Sequence, residues 1–240
     1  MKIAVLFNGA GLARLGLEQA GHDCTGFEID THRHYLSKLT GSGNCIQVDA
    51  TKVDLSGFDA VWASPPCQLR SRAKTQGAPV NDYADDYLEW CLNLPHDILW
   101  VENVLGITLK DRNWGKVYNA GQFRQVKGQN RNRIIGGRHL SPKVYYSYRH
   151  KYDTCSPCIM ATEWKGCATD QRRASRAYGR KLYLMECAQL QGLPLDILET
   201  WKQYPNYWTD GPKRWKHQLY EAVGSGVPVY MAKAFGDMYA

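Results

Sequence analysis

Residues 2–11 read KIAVLFNGAG, an apolar run that ends in a turn of small residues, and this stretch decides the fold. The run predicts a buried strand, and Leu12, Leu15, Leu17 and Ala20 then recur at the spacing of one helix face. A strand, a glycine-containing turn and a helix in this order form the opening of a βαβ unit. We therefore predict an α/β fold with a parallel sheet.

The same alternation of short apolar runs and helical patterns continues to residue 105. A second helix is predicted over residues 83–94, with Asn81 or Asp82 as its cap. Repeated alternation of this kind is typical of a doubly wound, Rossmann-like sheet. The predicted strands are Lys2–Phe7, Cys24–Ile29, Cys45–Val48, Ala60–Ala63 and Ile98–Glu102.

Composition places the chain among ordinary globular proteins. Its 240 residues are 44% hydrophobic and 22% charged, which excludes disordered, collagen-like and coiled-coil classes. No apolar run approaches the ~20 residues of a membrane span, and the N-terminus lacks the pattern of a secretion signal. Eight cysteines without such a signal favour reduced thiols over disulfides. We therefore expect a soluble, cytoplasmic protein with no membrane partner.

Positive charge is concentrated in one block of the sequence. Residues 124–181 contain 14 Lys and Arg against three acidic residues, whereas the rest of the chain has a net charge of −4. A localised basic block predicts a polyanionic partner, although a solvated surface is the common alternative.

Small and acidic residues follow the first three predicted strands. The turn at residues 7–11 stands where small residues let the backbone approach a ligand closely. Glu28, 19 residues after Gly9, ends the second strand, and Asp49 ends the third. A carboxylate at the end of the second strand accepts the hydroxyls of a ribose, and Asp49 stands within reach of an adenine amino group. These residues together predict an adenosine-containing cofactor, whereas the turn alone predicts only a tight connection.

A cysteine and a glutamate follow the next two strands. Cys67 lies in the stretch ASPPCQ directly after the fourth strand, and Glu102 follows 35 residues later at the end of the fifth. A cysteine alone is as often a small packed residue as a nucleophile. A thiol with a carboxylic acid, however, combines a soft nucleophile with a group that neutralises charge on the attacked ring.

These blocks, in this order, resemble the cytosine-C5 DNA methyltransferases, which use S-adenosylmethionine. The turn at 7–11 is similar to the cofactor loop of that family, and Pro66-Cys67-Gln68 to its nucleophile motif. The resemblance covers nearly the whole chain. Its further matches are Gly16-Leu17, Ala20-Gly21, Glu102-Asn103-Val104, Gln129 through Arg133, Arg180 through Pro194, and Gly224 through Pro228.

The resemblance implies a set of site residues. The Cys67 thiolate would attack C6 of a cytosine flipped out of duplex DNA, while Glu102 binds N3. Arg133 would hold the O2 edge of the base, and Arg131 would support that arrangement. The implied cofactor contacts are Phe7, Asn8, Gly9, Gly11, Glu28, Ile29, Asp49, Ala50, Pro66 and Ser225. The implied substrate contacts are Gln68, Arg70, Arg72, Asn103, Arg172 and Arg173.

The implied architecture is a class I methyltransferase sheet formed by residues 1–137 plus 216–240. A small target-recognition region, 138–215, is inserted before the last segment, in which a helix is predicted within Val227–Phe235. The family usually has Asn where Ser225 stands, so the pocket at the amino-acid end of the cofactor is expected to differ. The size suits a monomeric enzyme of a phage or bacterium, with or without a restriction partner.

Two alternatives and one metal site stay open at this stage. The same thiol and acid serve cytosine in RNA, and a nucleic-acid-binding module with a degenerate site is the second alternative. Cys155, Cys158, Cys167 and His150 have part of the spacing of a structural zinc site. Because there is no second Cys-x-x-Cys, we predict reduced thiols and no metal.

Overall fold

The structure is a computed structural model, and it describes most of the chain. The described residues are 1–67, 83–107, 109, 113–124, 129–145, 156–161, 163, 178–203 and 212–240, with the backbone alone at 157 and 212–216.

The described residues form nine strands and seven helices. The strands are β1 Lys2–Leu6, β2 Asp23–Glu28, β3 Cys45–Gln47, β4 Ala60–Ala63, β5 Ile98–Asn103, β6 Gly115–Asn119, β7 Gln129–Asn130, β8 Asn132–Gly136 and β9 Ser156–Pro157. The helices are α1 Leu12–Gln19, α2 Thr31–Lys38, α3 Ala84–Leu92, α4 Leu184–Gln191, α5 Leu195–Lys202, α6 Pro212–Ser225 and α7 Val229–Gly236. Of these described helices, none has the length and apolar character needed to cross a bilayer.

Seven strands form one sheet in the order β3-β2-β1-β4-β5-β8-β6. The strands from β3 to β5 in this order are parallel, whereas β8 pairs antiparallel with both β5 and β6. The predicted α/β fold is therefore confirmed, and each of the five predicted strands lies within one residue of its predicted bounds. The strand order switches between β1 and β4: the chain adds β2 and β3 on one side of β1, and β4 and β5 on the other. The carboxyl ends of β1 and β4 therefore border the crevice where open α/β sheets bind ligands.

Both faces of the sheet are covered by helices. Ile3 and Val5 of β1 pack in the layer of α1 and α7, whereas Ala4 and Leu6 pack in the layer of α3. This alternation follows from the two-residue period of a strand, and burial on both faces explains why the strands read as continuous apolar runs.

Helices α4, α5 and α6 share a hydrophobic cluster with α1 and α2. Leu12 and Leu36 pack there with Cys187, Leu198 and Val223. Since α4 and α5 lie within residues 138–215, the described part of that region shares its core with the first half of the chain. The division into two regions stays a prediction.

The sequence analysis did not predict α2, β6 or β8. Only Leu36 and Ser37 of α2 are buried, so its apolar pattern is too short to indicate a helix. β6 is an edge strand whose Lys116 and Val117 are exposed, which removes the apolar run that marked the parallel strands. The cap predicted at Asn81 or Asp82 lies outside the described residues.

Candidate active site

The loop after β1 has an unusual backbone. Gly9 and Gly11 have φ angles of 58° and 86°, and Phe7 has a φ of 53°, the single positive value found for a non-glycine residue in the described ranges. A Cβ on Gly11 would lie 2.9 Å from Oγ of Ser37, so glycine is required there, whereas a Cβ on Gly9 would meet no atom within 4 Å. The loop therefore leaves open space beside the backbone of Gly9, at the edge of the sheet where ligands bind.

A buried carboxylate holds this loop against β2. Gly9 N donates to Glu28 Oε2 at 2.7 Å, and Asp30 N donates to Glu28 Oε1 at 2.9 Å. Ile29, beside it, is 65% exposed, which is unusual for a large apolar side chain next to a buried strand. Asp49 accepts hydrogen bonds from the amide and hydroxyl of Thr51, and these bonds hold the pKa of its carboxyl below the ordinary value. Ala50 is buried behind it.

These residues fit an adenosine-containing cofactor. Open space at Gly9, a carboxylate at Glu28 and an exposed apolar side chain at Ile29 are what a ribose and an adjoining ring require. Pro66 is half-buried after β4, and Ser225 is exposed at the end of α6. A Cβ on Gly226 would lie 2.7 Å from Cδ2 of Leu12, which places the turn after Ser225 beside the start of α1.

The Asn8 side chain has partners inside the protein. Its Nδ2 donates to Ser37 Oγ at 2.6 Å and lies 3.4 Å from Cys45 Sγ. The side chain fills the space above Gly26, where a Cβ would lie 2.3 Å from Nδ2. The Asn8 side chain therefore holds the loop to β2 and α2, and its contact with the cofactor stays a prediction.

Cys67 and Glu102 come from neighbouring parallel strands. Ala63 at the end of β4 is paired with Val101 of β5, so the chain leaves both strands at the same edge. Asn103 Nδ2 donates to the Pro65 carbonyl at 2.9 Å, and this bond ties the loop that carries Cys67 to β5. Asn103 Oδ1 accepts from Val104 N at 2.7 Å. Asn103 is thus buried and positions the Cys67 loop, and its contact with the substrate stays a prediction.

Arg133 forms an ion pair with Glu102. Arg133 Nε lies 2.8 Å from Glu102 Oε1, and the two side chains are only 11% and 7% exposed. The antiparallel strand β8 brings Arg133 to this edge, because Asn103 of β5 is paired with Ile134. A buried pair of this kind keeps the carboxylate oriented toward the space above the strand ends.

The charges at this edge act on the Cys67 thiol. Burial raises its pKa, and the Glu102 carboxylate raises it further, while Arg133 and Arg131 lower it. Burial and the neighbouring Arg131 lower the pKa of Arg133, whereas Glu102 opposes that change. A raised pKa means that the thiol is protonated at neutral pH, so a reaction by the thiolate requires a change in this balance of charges.

Arg131 lies inside the protein, where its two terminal nitrogens donate hydrogen bonds while its buried Nε has no partner among the described residues. It is 2% exposed and donates to the carbonyls of Ile159 at 2.7 Å, Gly224 at 2.9 Å and Gly226 at 3.1 Å. Arg131 therefore binds backbone carbonyls and acts on the Cys67 thiol only through its charge, and the supporting role expected for it stays a prediction. These bonds join β7, the segment after β9 and the turn that follows α6.

Two glutamines complete what we call the Arg131 network, which consists of Arg131, Gln129, Gln191 and the carbonyls that they bind. Gln129 donates to Gln191 Oε1 and to the Leu190 carbonyl, and it accepts from Ile159 N at 3.2 Å. Gln191 donates to the carbonyls of Val223 and Gly226 at 2.6 and 2.8 Å. Both glutamines lie in motifs identified in the sequence, but their spacing along the chain did not predict that they contact each other.

The sequence matches a known enzyme family. The profile of the C-5 cytosine-specific DNA methylases matches residues 1–120, half of the chain. The chain belongs to this family. It is therefore a methyltransferase of the C5-cytosine type, as its motifs predicted. No curated protein sequence gives a significant match to this methylase.

Solved structures have the same fold. The S. pombe Dnmt2 methyltransferase is 12% identical, with a TM-score of 0.60 over 98% of this chain and 97% of that one. The Entamoeba histolytica methyltransferase EhMeth is 14% identical, with a TM-score of 0.59 over 98% and 96%. A protein of an E. coli prophage, described as a DNA modification methyltransferase, is 12% identical, with a TM-score of 0.58 over 99% and 97%. At such identities the likeness concerns the fold.

Several predicted site residues of this methylase lie outside the described residues. They are the substrate contacts Gln68, Arg70, Arg72, Arg172 and Arg173 and the zinc candidates Cys155, Cys167 and His150. Cys158, the remaining zinc candidate, is half-buried and accepts from Arg131 Nη1 at 3.4 Å. Within the described ranges, no group of three metal-ligating side chains occurs.

Proposed function

We propose that this methylase transfers a methyl group from S-adenosylmethionine to C5 of a flipped cytosine in double-stranded DNA. The observation that carries the proposal is the meeting of three groups at one sheet edge: Cys67 after β4, Glu102 at the end of β5, and Arg133 paired to Glu102 at 2.8 Å. The cofactor loop lies at the same edge, because β1 is the other neighbour of β4.

S-adenosylmethionine would be held by the loop after β1 and by the ends of β2 and β3. Glu28 would accept hydrogen bonds from the ribose hydroxyls, and Ile29 would contact the adenine ring. Asp49 and the backbone at Ala50 would contact the adenine edge, and Ser225 would border the amino-acid end. When bound, the cofactor supplies an electrophilic methyl group. The chain supplies the groups that make the cytosine carbon reactive.

The role of Cys67 is to change the electron distribution of the base. The Cys67 thiolate adds to C6, and the electron pair of the C5–C6 bond moves toward N3 and O2. C5 thereby becomes nucleophilic. After methylation, solvent water takes the C5 proton, and the S–C6 bond breaks with its electron pair returning to Cys67 as the thiolate. N3 then gives its proton back to Glu102, which restores the neutral aromatic ring.

Glu102 and Arg133 act on the opposite side of the ring. The Glu102 carboxylate takes up the proton that the Cys67 thiol releases and passes it to N3, which neutralises the charge that arrives there when the thiolate adds. Arg133 fixes one oxygen of Glu102 and donates from Nη1 to the Asn132 carbonyl at 2.7 Å, so its Nη2 group is assigned to O2 of the base. Because the Glu102 charge raises the pKa of Cys67, protonation of Glu102 lowers that pKa and favours the thiolate.

The choice of DNA rests on charge and on the family. The basic block at 124–181 suits a polyanion, and phosphate contacts offset the few kcal/mol needed to flip a base. The family is defined on cytosine in DNA, and one structure of the same fold is described as a DNA modification methyltransferase. The mechanism needs a reduced Cys67, which supports action in the reducing cytoplasm.

The test is covalent trapping. Duplex DNA that carries 5-fluorocytosine cannot lose a proton from C5, so the S–C6 bond persists and can be detected by gel shift and mass spectrometry. We expect the wild-type protein to form an adduct that requires S-adenosylmethionine, and Cys67→Ser to form none. Cys158→Ser is the matched control, because Cys158 is the other half-buried thiol in the described ranges and should leave the adduct unchanged.

The same assay with RNA of matched sequence decides the substrate. An adduct with 5-fluorocytosine RNA but not with DNA would replace the DNA proposal with an RNA proposal. An adduct that survives in Cys67→Ser would contradict the assignment of the nucleophile. Binding of nucleic acid without any adduct would favour a degenerate binding module.

A further inference from the structure

An exposed aromatic ring at the start of α4 has no part in the mechanism. Tyr183 precedes the first residue of α4 and is 70% exposed, the largest exposed fraction for a large apolar or aromatic side chain in the described ranges. A single exposed side chain is common on a monomer, so the exposure of Tyr183 indicates a contact only together with the neighbours that orient its ring.

The ring is held in place by charged neighbours. The Arg180 guanidinium lies over the Tyr183 ring, 5.6 Å from its centroid. Arg180 is itself fixed by two bonds to Glu186, at 2.8 and 2.5 Å, and Glu186 also accepts from Tyr183 N at 2.7 Å. Leu182 anchors the segment, because it is buried and its carbonyl accepts from Tyr220 Oη at 2.8 Å. Tyr183 therefore presents a preoriented face.

Helix stability does not explain the choice of tyrosine. Ser, Thr, Asp and Asn are favoured at the residue before a helix because their side chains bond the free amides of the first turn. The Tyr183 side chain makes no capping bond. A position that violates the local preference, with an exposed ring, is more typical of a contact residue than of a structural one.

A groove runs along one face of α4 and is lined by Leu182, the residue before Tyr183, and by Glu186, which binds the Tyr183 amide. Its volume is about 370 Å³, which lies within the range of small-ligand sites. Arg124 lies at one side of the groove, where it donates to the Gln189 carbonyl at 2.9 Å. The lining residues are Arg124, Tyr178, Leu182, Glu186, Gln189 and Leu190.

We infer that Tyr183, backed by Arg180, is a stacking platform for an unpaired base in a single-stranded stretch that adjoins the duplex holding the target cytosine, with the nearby groove taking the strand. The inference rests on the proposed function for the identity of the substrate as nucleic acid. Charge favours this occupant, since Arg124 and Arg180 lie within the basic block and aromatic rings with arginine are the usual platform for unstacked bases.

The location fits a flanking nucleotide rather than the target. At 1.5 Å per residue, Tyr183 stands about 12 Å along α4 from Gln191. Gln191 and Arg131 both bind the Gly226 carbonyl, so this distance separates the platform from the residues that support the active site. A separation of about 12 Å corresponds to about three to four stacked nucleotides of one strand.

The experiment measures affinity of the full chain for short fluorescein-labelled single-stranded oligonucleotides. One strand has normal bases and the other has abasic sites in their place, so that the phosphates are the same. We expect Tyr183→Ala to weaken binding of the normal strand by about 5- to 150-fold and to leave the abasic strand unchanged, because stacking contributes ~1–3 kcal/mol per base. Tyr183→Phe should keep wild-type affinity within about twofold, because the ring remains.

Two further measurements sharpen the test. Met185→Ala is the matched control, since it removes an exposed apolar side chain from the same turn and should not change affinity. A strand with 5-iodouracil, which photocrosslinks to stacked aromatic rings, should give a product at Tyr183. Thermal unfolding of each variant verifies that α4 remains folded.

The contradicting results are distinct from a failure of the proposed function. Equal affinity of Tyr183→Ala and wild type, or an equal loss on the abasic strand, would overturn the platform while adduct formation with fluorocytosine DNA still supported the methylase. Loss of affinity in Tyr183→Phe would assign a hydrogen bond instead of stacking and would also overturn it. A wild-type protein that binds no strand and forms no adduct would overturn both.

Discussion

Arg131 and Arg133 stand two residues apart, but the structure uses them in opposite ways. Arg133 faces a carboxylate at the open edge of the sheet, whereas Arg131 points into the protein and binds three carbonyls from distant segments. Arg133 is paired with Glu102, whose charge changes during the proposed reaction. Arg131 belongs to the Arg131 network, whose charge stays constant. Residues that act on substrate and residues that hold the site should therefore respond differently to substitution.

Glu102→Gln should have the largest effect, and on rate rather than on folding. We expect methyl transfer to fall by about 10²- to 10⁴-fold, because the amide cannot give a proton to N3. The free energy of unfolding should change by only about 1–2 kcal/mol, because the amide oxygen still accepts from Arg133 Nε. Single-turnover kinetics and urea unfolding measure the two quantities separately. A rate that follows the folded fraction would remove Glu102 from the chemistry.

Arg131→Leu should reverse this pattern. Its loss removes the Arg131 donor from the carbonyls of Ile159 and Gly224, whereas Gly226 keeps its bond from Gln191, so we expect the free energy of unfolding to fall by about 3–5 kcal/mol. Urea unfolding measures this loss. Arg131→Lys keeps the charge but has no fork, and it should recover only part of the stability. If Arg131→Leu unfolds like the wild type but is inactive, Arg131 belongs with Arg133 and the comparison fails.

The thiol of Cys67 should report the sign of each neighbouring charge. Glu102 raises the pKa of Cys67 and Arg133 lowers it. Glu102→Gln should therefore lower that pKa and speed alkylation by iodoacetamide near neutral pH, whereas Arg133→Gln should raise it and slow alkylation. Each change should be about threefold or more, since one pKa unit is a tenfold change in thiolate.

Mass spectrometry of the peptide containing Cys67, over a range of pH, checks this prediction. Arg33→Gln is the control, because Arg33 contributes the smallest of the charge effects on Cys67 and should leave its rate almost unchanged. Shifts of the same sign in Glu102→Gln and Arg133→Gln would show that the groups do not share one site with the thiol.

The parallel strands β1 to β5 and the positions of Cys67 and Glu102 after them were predicted from the sequence. The antiparallel strands β6 and β8 and the contacts of the Arg131 network were not. Cys67 and Glu102 were found because buried parallel strands leave continuous apolar runs, and the residue after each run must lie at one edge. The contacts of Gln129 with Gln191, and of Arg131 with Gly224, join segments far apart in the chain, and no local pattern encodes them. The same limit applies to Asn8 and Asn103, whose internal partners Ser37 and Pro65 could not be predicted from the motifs that contain them.

Tyr183 gives the smallest and most discriminating comparison, because stability and contact make opposite demands on one residue. Tyr183→Thr supplies a hydroxyl that can cap the first turn of α4 while Glu186 keeps its bond to the residue's amide, so the free energy of unfolding should rise by about 0.5–1 kcal/mol. The same substitution removes the ring and should weaken binding of single strands. Urea unfolding and fluorescence anisotropy on one protein sample measure both. If the variant gains stability and keeps full affinity, the ring has no nucleic-acid partner. If the variant loses both stability and affinity, Tyr183 has a structural role like that of Arg131 and is not a substrate contact.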